Sequence, residues 1–301
     1  MEAALRAVGQ TFARLGKRDP RLDPAGRLDL RLTRQLAAYA KDDPSPNRQK
    51  PIPLAIIIHA AELCVNAGTP KHATIADMLL LAFYFLLRPG EYASSSSPDA
   101  TPFRVRHAHF YIHNQRLRWR TATQQQWDAV TQVALEFDRQ KNGVKGELIG
   151  LSRSGDQRWC PVRVLQTRII ALRNQQAADD TPLYSYRTPS GAWGSVQAAD
   201  LTTHLRAAAV AHNFLHQSNA HTISARSLRS SGAMALFCAG VDPTKIQLFG
   251  RWRSAEMLRY LHVQALPVAS PFASAMLTHG NFAMIPHANP DEPNDWGNGD
   301  N

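Results

Sequence analysis

Apolar residues recur along this chain with a spacing that switches between helical and strand periods, and the switches mark out its elements. Residues 2–40 carry helical spacing interrupted by turn signals at Asp19-Pro20 and Pro24–Gly26. Asp42–Pro53 (DDPSPNRQKPIP) sets four prolines among polar residues, a composition that predicts a linker. Helical spacing returns from Leu54 to Leu87, broken near Gly68–Pro70, and Thr74-Ile75-Ala76-Asp77 has the form of a capping box opening the second helix. Ser94–Ser97 and Pro98 predict a loop. The period then falls to two. Residues 104–120 alternate about a turn at His113–Gln115, and Val133–Lys141 pairs with Glu147–Leu151 across Asn142-Gly143, so two β-hairpins are expected. Cys160–Gln175 and Leu201–Asn213 are predicted helices separated by a loop rich in Gly, Pro and Tyr. Three short, well-punctuated helices follow at Ser224–Ala239, Pro243–Phe249 and Ala255–His262. Residues 280–301 have little periodicity and much Asn, Pro and Gly, which predicts a disordered tail. The expected fold class is mostly α (α+β), a helical domain with one small antiparallel β-sheet and no internal repeat.

Composition narrows the class. The 301 residues are 44% hydrophobic, enough for a sizeable core. Lys and Arg number 34 against 24 acids, and only seven of the 34 are lysine. The guanidinium is a planar fork matched to phosphate or carboxylate oxygens, so this bias favours recognition of a polyanion. The charge is also uneven. Residues 1–259 hold all 34 cations and 20 acids, a balance of +14, whereas the last 42 residues hold four acids and no Lys or Arg. A basic body with an acidic tail reads as a nucleic-acid binder. The longest apolar run, Met78–Leu87, is about half of what spans a bilayer, so no membrane association is expected. No signal-peptide pattern opens the chain. Cys64, Cys160 and Cys238 are widely separated, which predicts a reducing, intracellular setting without disulfides or a zinc site. Phosphate-loop and dinucleotide-binding glycine motifs are missing, so no nucleotide cofactor is expected.

Four local patterns bear on chemistry. Leu87-Arg88-Pro89-Gly90-Glu91 ends an apolar helix in an arginine with an acid three residues on. Its plain reading is a cation at a helix C-terminus, stopped by Pro-Gly; its functional reading is an arginine projected into a cleft and oriented by Glu91. Lys141 and Lys145 flank a hairpin tip, either as a solvated turn or as a lysine carried towards a phosphate to protonate a leaving oxygen. Ser224–Asp242 places Arg226 and Arg229 three apart at a helix start, where two cations oppose the helix dipole, among the small residues Ser230, Ser231, Gly232 and Ala233. Gly250-Arg251-Trp252-Arg253 is a glycine turn presenting a tryptophan, followed by a helix with Tyr260; taken alone, both aromatics read as core.

In this order the four patterns resemble the tyrosine recombinase/phage integrase superfamily over roughly residues 54–265. The phrases QKNGVKGE, AGVDPTKIQLFGRW and LRYLH look closest to eukaryotic Crypton- and DIRS-type mobile-element recombinases. The resemblance implies a recombinase catalytic domain at 51–280, preceded at 1–50 by a partial helical core-binding remnant and linker and followed by the acidic tail 281–301. It implies Arg88 as first catalytic arginine with Glu91 supporting it, Lys141 as general acid with Lys145 as fallback, and Arg229 as second arginine. Trp252 stands where the family has His or Trp, and Tyr260 where it has the nucleophile. Arg226 occupies a position that is usually His or Lys, and arginine is a poor general base because it stays charged. Lys145, Arg251 and Arg253 are expected DNA contacts. Tyr260 follows Trp252 by eight residues, where bacterial members usually have nine. The implied partners are double-stranded DNA and other copies of the chain, as a tetramer on two DNA sites, with residues 263–280 able to dock on a neighbour or on their own domain. The implied compartment is the nucleus. No metal or other cofactor is implied. A retired recombinase that binds DNA without cutting it is the competing expectation, prompted by Arg226 and the short N-terminal region.

Overall fold

The computed structural model describes residues 2–42, 51–97, 100–138, 146–213, 221–252, 258 and 261. The chain divides into two compact units, Met1–Arg48 and Gln49–Asn301. In the first, α1 (Glu2–Arg14) and α2 (Leu30–Asp42) flank a turn closed by an antiparallel bridge between Leu22 and Leu28. The Asp19 carboxylate accepts from the Arg21 guanidinium in that turn. The predicted linker reaches into residues 43–50, which lie outside the described residues.

The second unit is organised about one helix. After α3 (Leu54–Asn66), α4 (Pro70–Tyr84) is buried over Thr74–Ala76 and Met78–Phe83, so its surface is covered on nearly every side. A helix that is apolar all round belongs inside a domain. It packs against α3, α7 (Pro161–Asn174) and α8 (Ala198–Ala211). The expected capping box at Thr74–Asp77 is overturned. Thr69 caps α4, its hydroxyl accepting from the His72 N–H, and Pro70 takes the first helical position, where its missing N–H costs nothing. Thr74 instead donates to the Pro70 carbonyl from inside the helix, and Asp77 faces Arg168 of α7.

One face of the core is a four-stranded antiparallel sheet in the order β2-β1-β3-β4, with β1 (Ala108–Ile112), β2 (Gln115–Arg116), β3 (Gln132–Phe137) and β4 (Glu147–Ser152). His113 and Asn114 both have positive φ (46° and 66°), the two-residue turn whose twist suits a hairpin. The first predicted strand starts late, because Val105–His107 coil into a 3-10 turn. In the second hairpin Phe137 pairs with Glu147 and the Gly146 N–H donates to the Phe137 carbonyl; the tip at 139–145 lies outside the described residues. The Gly- and Tyr-rich loop hides a small hairpin of β5 (Ser185–Arg187) and β6 (Trp193–Ser195). The fold class is as expected, mostly helical with small antiparallel sheets. The remaining α-helices among the described residues are the short α5 (Pro89–Tyr92) and α6 (Gln124–Asp128), then α9 (Ser227–Cys238) and α10 (Pro243–Phe249), the last capped by Asp242 accepting from the Thr244 and Lys245 N–H groups.

Candidate functional site

The site begins where α4 stops. Leu86 adopts a left-handed conformation, φ 49°, and the Leu87 N–H reaches back to the Ala82 carbonyl at 3.0 Å. This is a helix-ending motif that normally uses glycine, and a fully buried leucine in that conformation costs roughly 1–2 kcal/mol. The turn leaves the Leu86 carbonyl outside the helical ladder. Two arginines use it: Arg229 Nη1 donates to it, and so does Arg251 Nη2 at 3.0 Å.

Arg88 follows immediately, at the head of the short helix α5 (Pro89–Tyr92). Glu91 grips it twice, accepting from the Arg88 N–H at 2.8 Å and from Nη1 at 3.1 Å. The carboxylate is buried, whereas the Arg88 side chain keeps 30% of its surface open. The next residue, Tyr92, is buried and donates its hydroxyl to the Ala225 carbonyl at 2.7 Å, tying α5 to the segment that opens α9. Burial pushes that phenol far above the usual tyrosine range, so Tyr92 is a brace.

The third component is the turn after α10. The Arg251 N–H donates to Leu248 and the Trp252 N–H to Gln247, with Arg251 itself left-handed at φ 62°. This is again the helix-ending motif with a large residue at the glycine position. Arg251, read from the sequence as a DNA contact, is buried here: its side chain is 1% exposed. Its two Nη atoms reach the Glu91 carboxylate at 3.3 and 3.5 Å, and its guanidinium lies 3.8 Å over the Phe137 ring. Its own carbonyl accepts from Arg88 Nη2 at 3.4 Å. Burial pulls its pKa down and the Glu91 charge opposes that pull, but a guanidinium remains charged at any ordinary pH.

Arg229 enters from the first turn of α9. It is buried, with one Nη on the Leu86 carbonyl and the other on the Gly250 carbonyl, and its guanidinium stacks 3.9 Å from the Trp252 ring. A cation at a helix N-terminus is electrostatically unfavourable, and these bonds and the stacking offset that. Gly250 has a local reason: a Cβ there would overlap the Trp252 ring. Trp252 also packs against Ala233 and Ile246 in a small apolar cluster between α9 and α10, so the core reading of this residue and its place beside Arg229 hold together. The small residues of α9 serve packing. A Cβ on Gly232 would collide with the Phe83 carbonyl and the Leu86 side chain, and Ser231 accepts from the Ile52 N–H at 2.8 Å.

The sequence motifs thus bring Arg88, Glu91, Arg229 and Trp252 into one neighbourhood, with Arg251 among them. Arg226 is not brought in: it is exposed at the N-cap of α9, and among the described residues no hydrogen bond engages its guanidinium. Lys141, Lys145, Arg253 and Tyr260 lie outside the described residues.

Two histidines, His107 in the 3-10 turn before β1 and His109 on β1, sit near the base of the β3–β4 hairpin. His107 Nδ1 accepts from the Arg104 N–H and Nε2 meets Asp138 at 2.8 Å; His109 Nδ1 accepts from the Arg116 guanidinium and Nε2 meets Glu136 at 2.7 Å. A nitrogen that accepts from a donor cannot carry a proton, so each ring is held neutral with its hydrogen on Nε2. Burial lowers both pKa values in the same sense. Neither is poised to shuttle protons. Among the described residues no group of three or more His, Cys, Asp or Glu could hold a metal, and no helix is long and apolar enough to cross a membrane.

Sequence reasoning missed the buried role of Arg251 and the part played by Leu86 and Tyr92.

No family model matches the chain, and no curated protein matches it. Solved structures do match, among them the Tn1549 transposon integrase in complex with transposon right-end DNA. That protein is 13% identical, with a TM-score of 0.44, and the match covers 82% of this chain and 70% of the other.

Proposed function

We propose that this chain is a tyrosine-type site-specific DNA recombinase, which breaks and rejoins DNA through a 3′-phosphotyrosyl intermediate. One observation carries the reading. Arg88, Arg229 and Arg251, from segments more than 20 residues apart at the least, converge on a single backbone turn, and Arg88 presents its guanidinium at the open side. Clustered cations with one partly exposed member suit a phosphate, whose non-bridging oxygens a guanidinium fork can bind in pairs.

The proposed chemistry follows. Tyr260 gives up its phenol proton to water and its oxygen attacks the phosphorus of a DNA phosphodiester, the bond from phosphorus to the 5′ oxygen breaks, and Lys141 gives a proton to that departing oxygen. The new P–O bond to tyrosine preserves a phosphodiester, so a 5′-hydroxyl reverses the step and reseals a strand without added energy. A phenol of pKa about 10 needs a cationic field to act near neutrality, and Arg88 and Arg229 supply it. Charge building on the phosphate in the transition state meets donors already fixed in place, which is where such sites derive most of their acceleration. The wider reading assigns double-stranded DNA as partner, a tetramer on two sites, a mobile-element origin of the Crypton or DIRS kind, and the nucleus as compartment.

The test uses the full chain, supercoiled plasmid, and a randomised pool of nicked suicide duplexes in EDTA. The expected result is an SDS-resistant protein–DNA adduct that Tyr260→Phe abolishes. Its absence across the pool overturns the reading.

A second reading has its own observation. Arg229 commits both Nη atoms to backbone carbonyls, and Arg226 stands exposed. This favours a chain that binds DNA without cutting it; it predicts binding that falls steeply with salt and no adduct.

A further inference from the structure

We propose that Arg251 is a positioning residue for Arg88, setting the orientation of the one arginine of the cluster that opens to solvent. The inference rests on the recombinase reading for its consequence, but its geometry stands independently.

Arg251 holds Arg88 from two sides. Its guanidinium shares the Glu91 carboxylate with Arg88, and its carbonyl accepts directly from Arg88 Nη2. The Arg88 N–H already holds Glu91 Oε2, and the Arg251 guanidinium, itself anchored elsewhere, adds a donor to each oxygen, which fixes the carboxylate plane against which the Arg88 guanidinium rests. Arg251 is so anchored. Its Nη2 also donates to the Leu86 carbonyl, and the Phe137 ring closes over its guanidinium plane. Leu86 ends α4, and Phe137 is the last residue of β3, where the hairpin leading to Lys141 begins. One side chain therefore ties the end of the central helix, the acid beneath Arg88 and the root of that hairpin into a single frame.

The backbone makes the same case. Arg251 occupies a left-handed position at φ 62°, where glycine would sit without strain. A bulky residue retained in such a conformation points to a role for its side chain. Trp252 takes the other half of the turn's work, packing beside Arg229. The turn thus serves two arginines with two residues. Arg251 is buried and touches no substrate in this arrangement, so its effect runs through Arg88.

Arg251→Gly separates side chain from turn, because glycine keeps the left-handed conformation while deleting the guanidinium. We expect a folded protein with a melting temperature within a few degrees of wild type. DNA affinity should change less than about threefold, while adduct formation slows about 100-fold, the scale on which small misplacements of a catalytic group act. Arg251→Lys should recover part of the rate by keeping one bond to Glu91. NMR of the Arg88 Nε–H gives a readout that needs no reaction: its order parameter should fall in Arg251→Gly and fall less in Arg251→Lys. If Arg251→Gly fails to fold, the lysine variant carries the same measurement. Unchanged Arg88 order in the folded variants overturns the inference, whatever the wild type does to DNA. Absence of adduct in the wild type itself counts against the recombinase reading and leaves the NMR comparison to decide the positioning role.

Discussion

Helix α4 carries two buried arginine sites, and they differ in kind. Midway along it, Arg168 of α7 donates to the Thr74 hydroxyl at 2.8 Å and to the Ser185 carbonyl, and lies 3.8 Å from the Asp77 carboxylate. Arg168 is enclosed by α4, α7 and the β5 hairpin, and Asp77, half-buried beside it, is pushed up to about 7 by desolvation even against the arginine's pull. At the end of the same helix, Arg88, Arg229 and Arg251 gather about Leu86 and Glu91, with Arg88 still reachable from outside. A buried arginine is therefore no sign of function by itself. The first site is closed and joins neighbouring elements; the second contains two left-handed residues and an open side, features a mere brace does not require.

The sharpest test of the contrast is a crossed pair of deletions. Arg168→Ala leaves the Thr74 hydroxyl and the Ser185 carbonyl without their buried donor, and should cost about 1–3 kcal/mol per abandoned acceptor in denaturant unfolding. DNA affinity per folded molecule should hold. Arg88→Ala removes a partly exposed member of a pair and should cost about 1 kcal/mol or less, yet abolish the DNA adduct. If stability and adduct formation respond the other way round, the distinction between the sites collapses.

A smaller effect probes what joins them. Gly232→Ala forces α9 away from the end of α4, with an expected loss of roughly 1–3 kcal/mol by thermal or denaturant melting, the usual toll of overpacking. Because Arg229 lies one turn earlier on α9, the adduct rate should fall too. An unchanged rate would show that the cluster tolerates movement of that helix.

The mildest perturbation is pH. Asp77 holds its proton more tightly folded than unfolded, so its share of stability is intact below pH 4 and is lost as pH rises to about 7. His107 and His109 act oppositely: their lowered folded pKa values make stability rise as pH climbs towards the ordinary histidine range. Wild type compared with Asp77→Asn isolates the first contribution. The difference in melting temperature should drift against wild type between pH 4 and 7, and a flat difference would contradict the burial of that carboxyl.

What the sequence discloses follows from how each feature is encoded. Element order is legible because α4 is a long apolar run bounded by Thr69-Pro70 and Pro89-Gly90, and because β1, β3 and β4 are five or six residues long and flank the turn signals at His113-Asn114 and Asn142-Gly143. Single-residue decisions are less so. Thr69 and Thr74 both precede plausible helix starts; Pro70 at the first helical position favours Thr69, and the bond from Arg168 to the Thr74 hydroxyl gives Thr74 its other role. The β5–β6 hairpin escapes notice because its strands are three residues each, too short to show alternation. At the site, the arginine and glutamate of Arg88-Pro89-Gly90-Glu91 lie close enough in sequence for their contact to be anticipated. Arg251 does not: it reads as one more cation in a basic turn, and its partners Glu91, Leu86 and Phe137 are all more than 100 positions away.

The Leu86 carbonyl has a consequence for how this site can be dissected. Two of the three arginines hang on an atom that belongs to no side chain, so an alanine scan passes over it and every codon at position 86 encodes it alike. Replacing the amide between Leu86 and Leu87 by an ester, through semisynthesis, reaches it: the carbonyl becomes a weaker acceptor and the Leu87 N–H is lost. The acceptor therefore belongs to the path of the main chain, while the buried Leu86 side chain answers to a separate demand, its packing against Gly232 of α9.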